Sequence, residues 1–251
     1  LFVEELPPKA LKKLGEAFGA ALLAGLRAQG LAGEASALAV FATPRRLAAQ
    51  IADVLAAAPE RAVSHKLMPA AVGLAADGSA TPALVKRLAA LGADGADARV
   101  VSALARRTDG KTEVLYLDAR QPGATLAAGL QKALDEALAA LPIPKVMQYQ
   151  LADGWSSVHF VRPAHGLVAL HGAELVPVRA LGLDAGRSTR GHRFEAAVDP
   201  IVLADAGRYA EQLAEQGGVI AGFDARRAEI LRQLQAAAAA EGLQPIADDA
   251  L

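Results

Sequence analysis

The segment STRGHRF, residues 188–194, combines two arginines, a histidine and a glycine, and Arg187 directly precedes it. None of these residues is acidic. Arginine side chains and the backbone N–H groups of a glycine-containing loop bind the phosphate oxygens of nucleic acids. The alternative role is structural, with the arginines paired to acids elsewhere or capping carbonyl groups so that a long loop is held against a sheet. The candidate residues for either role are Arg187, Arg190, His192 and Arg193.

The charge around this segment is positive, although that of the whole chain is not. Residues 157–194 contain five arginines and two acids, a local excess of +3, whereas the chain carries −1 and has a pI of about 6.6. A protein whose whole surface binds nucleic acid is usually much more basic, so any such contact here is local. Weaker candidates for the same role are Arg45, Arg46, Arg162 and His165.

The histidines are clustered, but their spacing does not indicate a metal site. Four of the five lie within 34 residues, namely His159, His165, His171 and His192. A zinc or iron site needs three or four ligands, commonly at a short spacing such as HExxH, and the sequence has neither that spacing nor a cysteine. We therefore expect structural histidines and no metal ion, and no binding role for the acidic pair Asp248-Asp249. The nucleophile and phosphate-loop motifs GxSxG and GxxxxGK[ST] are also absent.

Composition indicates a folded protein from a reducing compartment. Of the 251 residues 53% are hydrophobic but only 4% aromatic, and there is no cysteine. No uncharged apolar run approaches the roughly 20 residues of a membrane helix, and no signal-peptide pattern precedes the first apolar stretch. We expect a cytoplasmic protein without a membrane partner. Because the chain begins with Leu and ends in IADDAL, we also expect a fragment of a longer polypeptide.

Periodicity predicts helices and strands that alternate irregularly. Leucines and Phe18 at helical spacing predict an amphipathic helix over 9–29. The other predicted helices are 82–92, opened by Thr81-Pro82 and closed by Gly92, then 126–141, 204–216 and 223–241. The predicted strands are 36–43, 47–54, 99–105, 113–118, 158–161, 167–170, 174–181, 200–203 and 218–221. Residues 59–77 are predicted to be loop-like and 144–154 to be a connector, and Gly217-Gly218 is predicted to cap a helix C-terminus.

These elements predict a mixed α+β fold, because helices and strands are interleaved without a regular βαβ rhythm. Three segments are predicted along the chain. They are 1–58 with the order strand, helix, strand, strand; 59–150, an α/β middle segment; and 151–251, which is rich in strands and carries the basic loop and the C-terminal helices.

Several stretches, in order and over nearly the whole chain, resemble one family, the β subunits of bacterial heterotetrameric glycyl-tRNA synthetase. They are VEELPPKALKKLGEAF (3–18), FATPRRLA (41–48), ADGSATPA (76–83), LPIPKVM (141–147), FVRPAHGLVALHG (160–172), STRGHRF (188–194) and VIAGFDARRAEI (219–230). Each stretch alone is a weak signal, whereas the ordered set is specific.

The resemblance implies a supporting role in aminoacylation. In that family a separate α subunit carries the class II adenylation site, so ATP and Mg²⁺ are expected there, and no cofactor and no catalytic residue are expected in this chain. The implied partners are the α subunit, in an α2β2 assembly, and tRNA(Gly), with no DNA. An HD-type domain and an anticodon-binding region would follow Leu251, and the fold would be similar to the B3/B4 module of phenylalanyl-tRNA synthetase.

The chain departs from the family pattern at two places. The family usually has Arg-Trp where this chain has Gln148-Tyr149, and His-Trp where it has His165-Gly166. Each change removes an aromatic ring that could stack on a base or pack in the core.

Two alternative functions stay open. The first alternative is a purely structural or subunit-interaction module without tRNA contact. The second is an editing-type hydrolase, for which the sequence shows no nucleophile or metal signature.

Overall fold

The computed structural model of the protein describes residues 1–93, 98–110 and 112–246. Within these residues helices alternate with short strands, so the predicted α+β class is confirmed. The α-helices are α1 Leu11–Ala28, α2 Ala70–Gly73, α3 Pro82–Ala89, α4 Ala98–Ala103, α5 Leu126–Ala139, α6 Tyr209–Gly217 and α7 Phe223–Ala240. The strands are β1 Phe2–Val3, β2 Leu38–Thr43, β3 Arg46–Ile51, β4 Arg61–Pro69, β5 Ala105–Asp109, β6 Thr112–Gln121, β7 Met147–Gln150, β8 Ser157–Phe160, β9 Ala164–Val168, β10 Leu170–His171, β11 Glu174–Leu175, β12 Arg179–Ala180, β13 Leu183–Gly186, β14 Ser188–Thr189 and β15 Ile201–Val202.

The described chain divides into two compact units. The larger combines residues 1–58 with the described part of 124–251, and the smaller is the described part of 59–123. The three sequence segments 1–58, 59–150 and 151–251 stay a prediction about organisation along the chain.

The larger unit is built on a six-stranded sheet with the strand order β12-β13-β9-β1-β3-β2. β2 and β3 form a hairpin around Pro44 and Arg45, as the sequence predicts. β1 lies between β3 and β9 and is antiparallel to both, while β13 runs parallel to β9. A strand of two residues therefore joins the N-terminal hairpin to strands that come more than a hundred residues later in the chain.

Helices α1 and α5 cover one face of this sheet. The periodic apolar side chains of α1, such as Leu14, Phe18 and Leu26, are all buried, which confirms the predicted amphipathic helix. Gly25 allows the two helices to approach closely, because a Cβ there would lie only 2.7 Å from Cβ of Ala133. The two helices that cover this face are therefore ones that the sequence pattern predicts.

The opposite face carries a smaller cluster. Side chains alternate along a strand, so Phe41 points away from α1 while its neighbours in β2 point toward it. The Phe41 ring packs with the Tyr209 ring of α6 at a centroid distance of 5.3 Å. Ile201, Leu203, Leu213 and Ala221 also belong to this cluster. Burial raises the pKa of Tyr209 to about 12, so its hydroxyl is protonated at neutral pH.

The smaller unit is an antiparallel sheet of order β4-β6-β5 with α2, α3 and α4. Its core contains Leu84 and Leu88 of α3 packed with Leu115 of β6. The Thr81 hydroxyl accepts a hydrogen bond from the Leu84 backbone N–H at 3.5 Å, which is the predicted N-terminal cap.

Two predictions in this unit are wrong. Residues 59–77, predicted as loop, contain the nine-residue strand β4. The flanking prolines suggested a loop. Val63, His65 and Leu67, however, alternate with polar residues, as side chains do along a strand. Residues 99–105, predicted as strand, are largely helix α4, and the strand β5 begins only at Ala105. Strand propensity of the valines there is overridden by tertiary packing.

Three predictions in the larger unit need correction. The connector 144–154 contains β7, which pairs with β8, so this segment is half of a hairpin. The strand over 174–181 is split into β11 and β12, because Pro177 between them has no N–H for a ladder. Residues 218–221 form no strand in the described structure, and Gly218, with φ 61°, caps α6 as predicted.

The packing of α3 gives a stability test. Leu88→Ala is expected to lower the free energy of unfolding of the smaller unit by about 2–5 kcal/mol, because the fully buried side chain leaves a cavity. Val85→Ala on the same helix, with 41% of the side chain exposed, is the control and is expected to change it by about 0.5 kcal/mol or less. Urea denaturation followed by circular dichroism measures both, and equal losses would contradict the packing.

Candidate nucleic-acid interface

The basic segment forms a closed loop between two short strands. β14 pairs antiparallel with β15, with Thr189 opposite Ile201, so residues 190–200 leave the sheet and return to it. The Leu203 N–H donates to the Arg187 carbonyl at 2.9 Å and closes the base of the loop. The loop is therefore held at both ends by backbone hydrogen bonds.

Two of the four candidate residues are engaged by acceptors of the protein itself. The Arg187 Nη2 donates to the Ala173 carbonyl at 2.8 Å. The Arg190 Nη1 donates to Asp199 Oδ2 at 2.8 Å, across the loop. The sequence motif does not include Asp199, because this acid lies five residues beyond Phe194, where the motif ends. Arg190 thus joins the two sides of the loop, whereas Arg187 joins the strand entry at its base to the turn between β10 and β11.

His192 caps a turn inside the loop. Its Nδ1 accepts hydrogen bonds from the backbone N–H groups of Phe194 at 3.3 Å and Glu195 at 3.2 Å. This arrangement requires an unprotonated Nδ1, so any ring proton is on Nε2. The His192 backbone N–H in turn donates to the Gly217 carbonyl at 2.6 Å, at the C-terminus of α6. His192 therefore fixes the shape of the loop and its attachment to the helix.

Gly191 brings the loop into direct contact with α6. A Cβ at this position would lie 2.6 Å from Cβ of Ala196, 2.7 Å from Cα of Gly217 and 2.8 Å from the Gly217 carbonyl oxygen. Two of these atoms are backbone and cannot move aside without shifting the helix end. The glycine of the motif is explained by this close approach.

Arg193 and Phe194 are exposed residues at the end of the motif. No hydrogen bond or ion pair joins the exposed Arg193 side chain to any other described residue. Phe194 is 82% exposed, and its ring meets only the edge of the His192 ring, at a centroid distance of 6.1 Å and an interplanar angle of 66°. The anchored loop therefore presents an uncompensated cation beside an exposed aromatic ring, a combination that suits phosphate and base contacts.

Three of the weaker candidates come together elsewhere, around Phe2 of β1. The guanidinium carbons of Arg45 and Arg46 lie 4.8 and 5.1 Å from the Phe2 ring centroid, and the His165 ring lies 6.5 Å from it. Glu4 Oε1 faces His165 Nε2 at 2.7 Å and Arg45 Nη2 at 3.8 Å. One carboxylate therefore offsets part of the positive charge of this group. Sequence reasoning did not connect Glu4 with these residues, because β1 and β9 are far apart in the chain.

Arg46 differs from its neighbours because it is buried. Only 4% of the residue is exposed, and its Nε and Nη2 have no hydrogen-bond partner among the described residues. Burial lowers the pKa of Arg46. A buried guanidinium without acceptors is costly, so this group is suited to an acceptor from a further segment.

Arg162 contributes to a different element. Its Nη1 donates to the Val161 carbonyl at 2.8 Å and lies 3.3 Å from the Met147 sulfur. Both contacts belong to the β7–β8 hairpin and its exit. Arg162 therefore has a local packing role. Among the described residues it makes no hydrogen bond or ion pair with the group around Phe2.

Comparison with known proteins decides the family. A family model described as "Glycyl-tRNA synthetase beta subunit" matches residues 1–251. The chain belongs to the glycyl-tRNA synthetase β-subunit family.

Among its relatives, the "Glycine--tRNA ligase beta subunit" of Leptothrix cholodnii is 67% identical over 251 residues. Proteins of the same name from Thiobacillus denitrificans and Dechloromonas aromatica are 64% and 63% identical over 251 and 258 residues. Each alignment covers 100% of this chain but only 35% or 36% of the relative. This family member therefore spans about a third of the length of the curated relatives it matches.

The structure shows the surroundings of Tyr149 and Gly166, where the sequence is expected to depart from the family pattern. The Tyr149 hydroxyl accepts a hydrogen bond from the Ala164 N–H at 3.2 Å, and its ring packs against the main core, so this residue serves packing. At Gly166 a Cβ would lie 3.5 Å from Cβ of Phe2, an ordinary contact. A larger side chain at that position would therefore lie beside Phe2 and the basic residues around it.

The sequence also raised the clustered histidines and the pair Asp248-Asp249 as candidate metal ligands. No group of three His, Cys, Asp or Glu side chains that could hold a metal ion occurs among the described residues. His171 instead hydrogen-bonds the Val54 carbonyl at 2.8 Å. Asp248 and Asp249 lie outside the described residues. None of the described helices is long and apolar enough to cross a membrane.

The contact between the loop and α6 is tested by Gly191→Ala. The new Cβ would overlap backbone atoms, so the free energy of unfolding is expected to fall by about 1–3 kcal/mol. Gly186→Ala is the control, because a Cβ there meets no heavy atom within 4 Å. Thermal unfolding of both variants measures the difference. Wild-type stability of the Gly191 variant would show that the loop does not rest on the helix.

Proposed function

We propose that this chain is the N-terminal part of a glycyl-tRNA synthetase β subunit and supports the ATP-dependent attachment of glycine to tRNA(Gly). Its contribution is tRNA binding and subunit assembly in the cytoplasm, within an α2β2 heterotetramer. The adenylation site, with ATP and Mg²⁺, belongs to the separate α subunit. The family membership supports the reaction, and the exposed pair Arg193 and Phe194 supports the contact with RNA.

The proposed tRNA contact is supported by a difference among the residues of the motif: three are hydrogen-bonded within the protein, whereas Arg193 is not bonded to any described residue. Arg187 bonds the Ala173 carbonyl, Arg190 bonds Asp199, and His192 accepts from the Glu195 N–H, so each of the three has a partner within the protein. Arg193 keeps its full charge available, and an arginine with free N–H groups can bind a phosphate by two parallel hydrogen bonds. The neighbouring Phe194 offers a flat apolar surface of the kind on which unpaired bases stack. Preordering of the loop lowers the entropy that binding would otherwise cost.

A second candidate function, a structural module that binds another protein part without touching tRNA, is favoured by α7. This helix has no buried residue, and Ile230, Leu231 and Leu234 are 61%, 52% and 52% exposed. Exposed apolar side chains grouped on one helix commonly mark a protein contact. On this alternative the basic loop would serve only to hold neighbouring domains.

Replacing single arginines separates the two functions. In the full β chain assembled with its α subunit, Arg193→Ala is expected to weaken tRNA(Gly) binding several-fold and to reduce the slope of log affinity against log salt by about 1, because one phosphate contact is lost. Arg106→Ala, which removes the same charge from the smaller unit, is the control and is expected to leave both quantities unchanged. Filter binding over a salt series, together with thermal unfolding, provides the measurement.

An unchanged affinity and salt slope for Arg193→Ala would contradict the RNA contact. Loss of α-subunit association in the same variant would favour the structural module.

A further test concerns catalysis. The 251-residue chain alone is expected to show no glycine-dependent ATP–pyrophosphate exchange, because the adenylation site is proposed for the α subunit. Robust exchange by the chain alone would exclude that assignment.

A further inference from the structure

The turn of the β7–β8 hairpin carries the most exposed aromatic side chain of the described residues. Trp155 is 92% exposed, and it is the one tryptophan in the sequence. Among the residues that the structure describes, no other ring and no cationic group packs on the indole ring. Enclosing a large aromatic side chain buries roughly 150–250 Å², so nearly all of this apolar surface is open to a partner.

The turn that carries Trp155 is held in one shape by hydrogen bonds. Asp153 Oδ1 accepts from the backbone N–H groups of Trp155 at 2.9 Å and Ser156 at 2.8 Å. The Leu151 N–H donates to the Ser156 carbonyl at 2.8 Å and closes the turn. Gly154, with φ 76°, supplies the left-handed backbone between them. The backbone around Trp155 is therefore ordered before a partner binds, which lowers the entropy that binding costs.

The hairpin is also fixed to the main sheet of the larger unit. The Leu151 side chain lies directly on the turn between β12 and β13, because a Cβ at Gly182 would be 2.5 Å from Leu151 Cδ1. Phe160 of β8 is buried in the main core, and the Tyr149 hydroxyl of β7 holds the backbone at the start of β9. Trp155 is consequently displayed on a rigid support.

The charge of the hairpin tip favours a protein partner over a nucleic acid. Of residues 148–157 only Asp153 is charged. Hydrogen bonds from the Ser156 hydroxyl and from backbone N–H groups lower the pKa of Asp153, so its carboxylate is ionised at neutral pH. On the neighbouring β12, Arg179 is already compensated by Asp184. Nucleic-acid affinity depends on cations that contact phosphates, whereas this surface offers an anion.

We propose that Trp155 is a docking anchor for the α subunit, which receives the indole ring in an apolar pocket and presents a lysine or arginine beside Asp153. The inference rests on the proposed function, which supplies the α subunit as a protein partner. Tryptophan is among the residues that contribute most to protein interfaces. An arginine or lysine contacts both the face of an indole ring and a carboxylate, so one cation complements both groups of the tip.

A second copy of this chain fits the tip less well. A two-fold contact places the same surface on both sides of the interface. The two Asp153 carboxylates would then lie close together, and like charges facing each other oppose association. The partner therefore differs in chemistry from the tip itself.

Two substitutions in the full β chain test the anchor. Trp155→Ala is expected to raise the Kd for the α subunit about 30-fold, because a central aromatic anchor is lost. Asp153→Asn keeps an oxygen that accepts the hydrogen bonds of the turn but removes the charge. It is expected to raise Kd about fivefold and to weaken its salt dependence. Leu175→Ala, which shortens a 44% exposed side chain of β11, is the control and is expected to leave Kd unchanged.

Biolayer interferometry over a salt series measures these constants, and thermal unfolding confirms that each variant is folded. An unchanged Kd for Trp155→Ala would overturn the anchor. An unchanged Kd and salt dependence for Asp153→Asn would overturn the cationic group of the partner. The proposed function fails in a different way, because then even the wild-type β chain would not associate with the α subunit.

Hydroxyl-radical footprinting identifies what covers the ring. Oxidation of Trp155, read by mass spectrometry, is expected to be rapid in the β chain alone. The α subunit is expected to slow it about fivefold or more, since the centre of an interface excludes water, and tRNA(Gly) is expected to leave it unchanged. Protection by tRNA(Gly) without protection by the α subunit would overturn the protein partner in favour of a nucleic acid. Slow oxidation in the β chain alone would show that the β chain covers its own tryptophan and would overturn the inference.

Discussion

The pairing of Phe2 and Val3 with two strands at once is the interaction on which the larger unit depends. The Val3 N–H donates to the Arg45 carbonyl and the Glu4 N–H donates to the Pro163 carbonyl, both at 2.9 Å. These bonds fasten the turn of the β2–β3 hairpin to the start of β9. The fully buried Val3 side chain anchors the strand in the main core. The basic residues around Phe2 come together only because this short strand holds their elements side by side.

Contacts between distant residues also hold the basic loop, because Arg190, one of its two arginines, is paired with an acid of the protein itself. The local excess of +3 over residues 157–194 overstates the charge available to a partner, because Arg190 is paired with Asp199, an acid beyond those residues. Arg193 keeps its charge free of ion pairs with the described residues and is displayed by a loop that its neighbours hold rigid. Under the proposed RNA contact, an exposed cation on a fixed loop would be a more specific recognition element than a diffuse basic surface.

Local patterns predicted the longer helices and the first hairpin, but not the short helices α2 and α4 or the irregular strands. Helix α1 was predictable because its apolar residues repeat at helical spacing over five turns, and propensity and burial agree there. Strand β7 was not, because its side chains are mostly exposed and its formation depends on pairing with β8. In the candidate site, the basic composition of the STRGHRF motif was visible in the sequence. Its partners Asp199 and Gly217 were not, because contacts between distant residues leave no local periodicity.

Amide hydrogen exchange in the native state tests most directly whether β1 ties the larger unit together. The amides of Val3, Glu4 and Leu47 are the groups to follow, compared with amides in the middle of α1. If β1 is the tie, these three amides exchange only when the whole unit opens, with the same free energy as the amides of α1. Exchange at a much lower free energy, while α1 stays protected, would show that the sheet holds without β1 and would contradict this account.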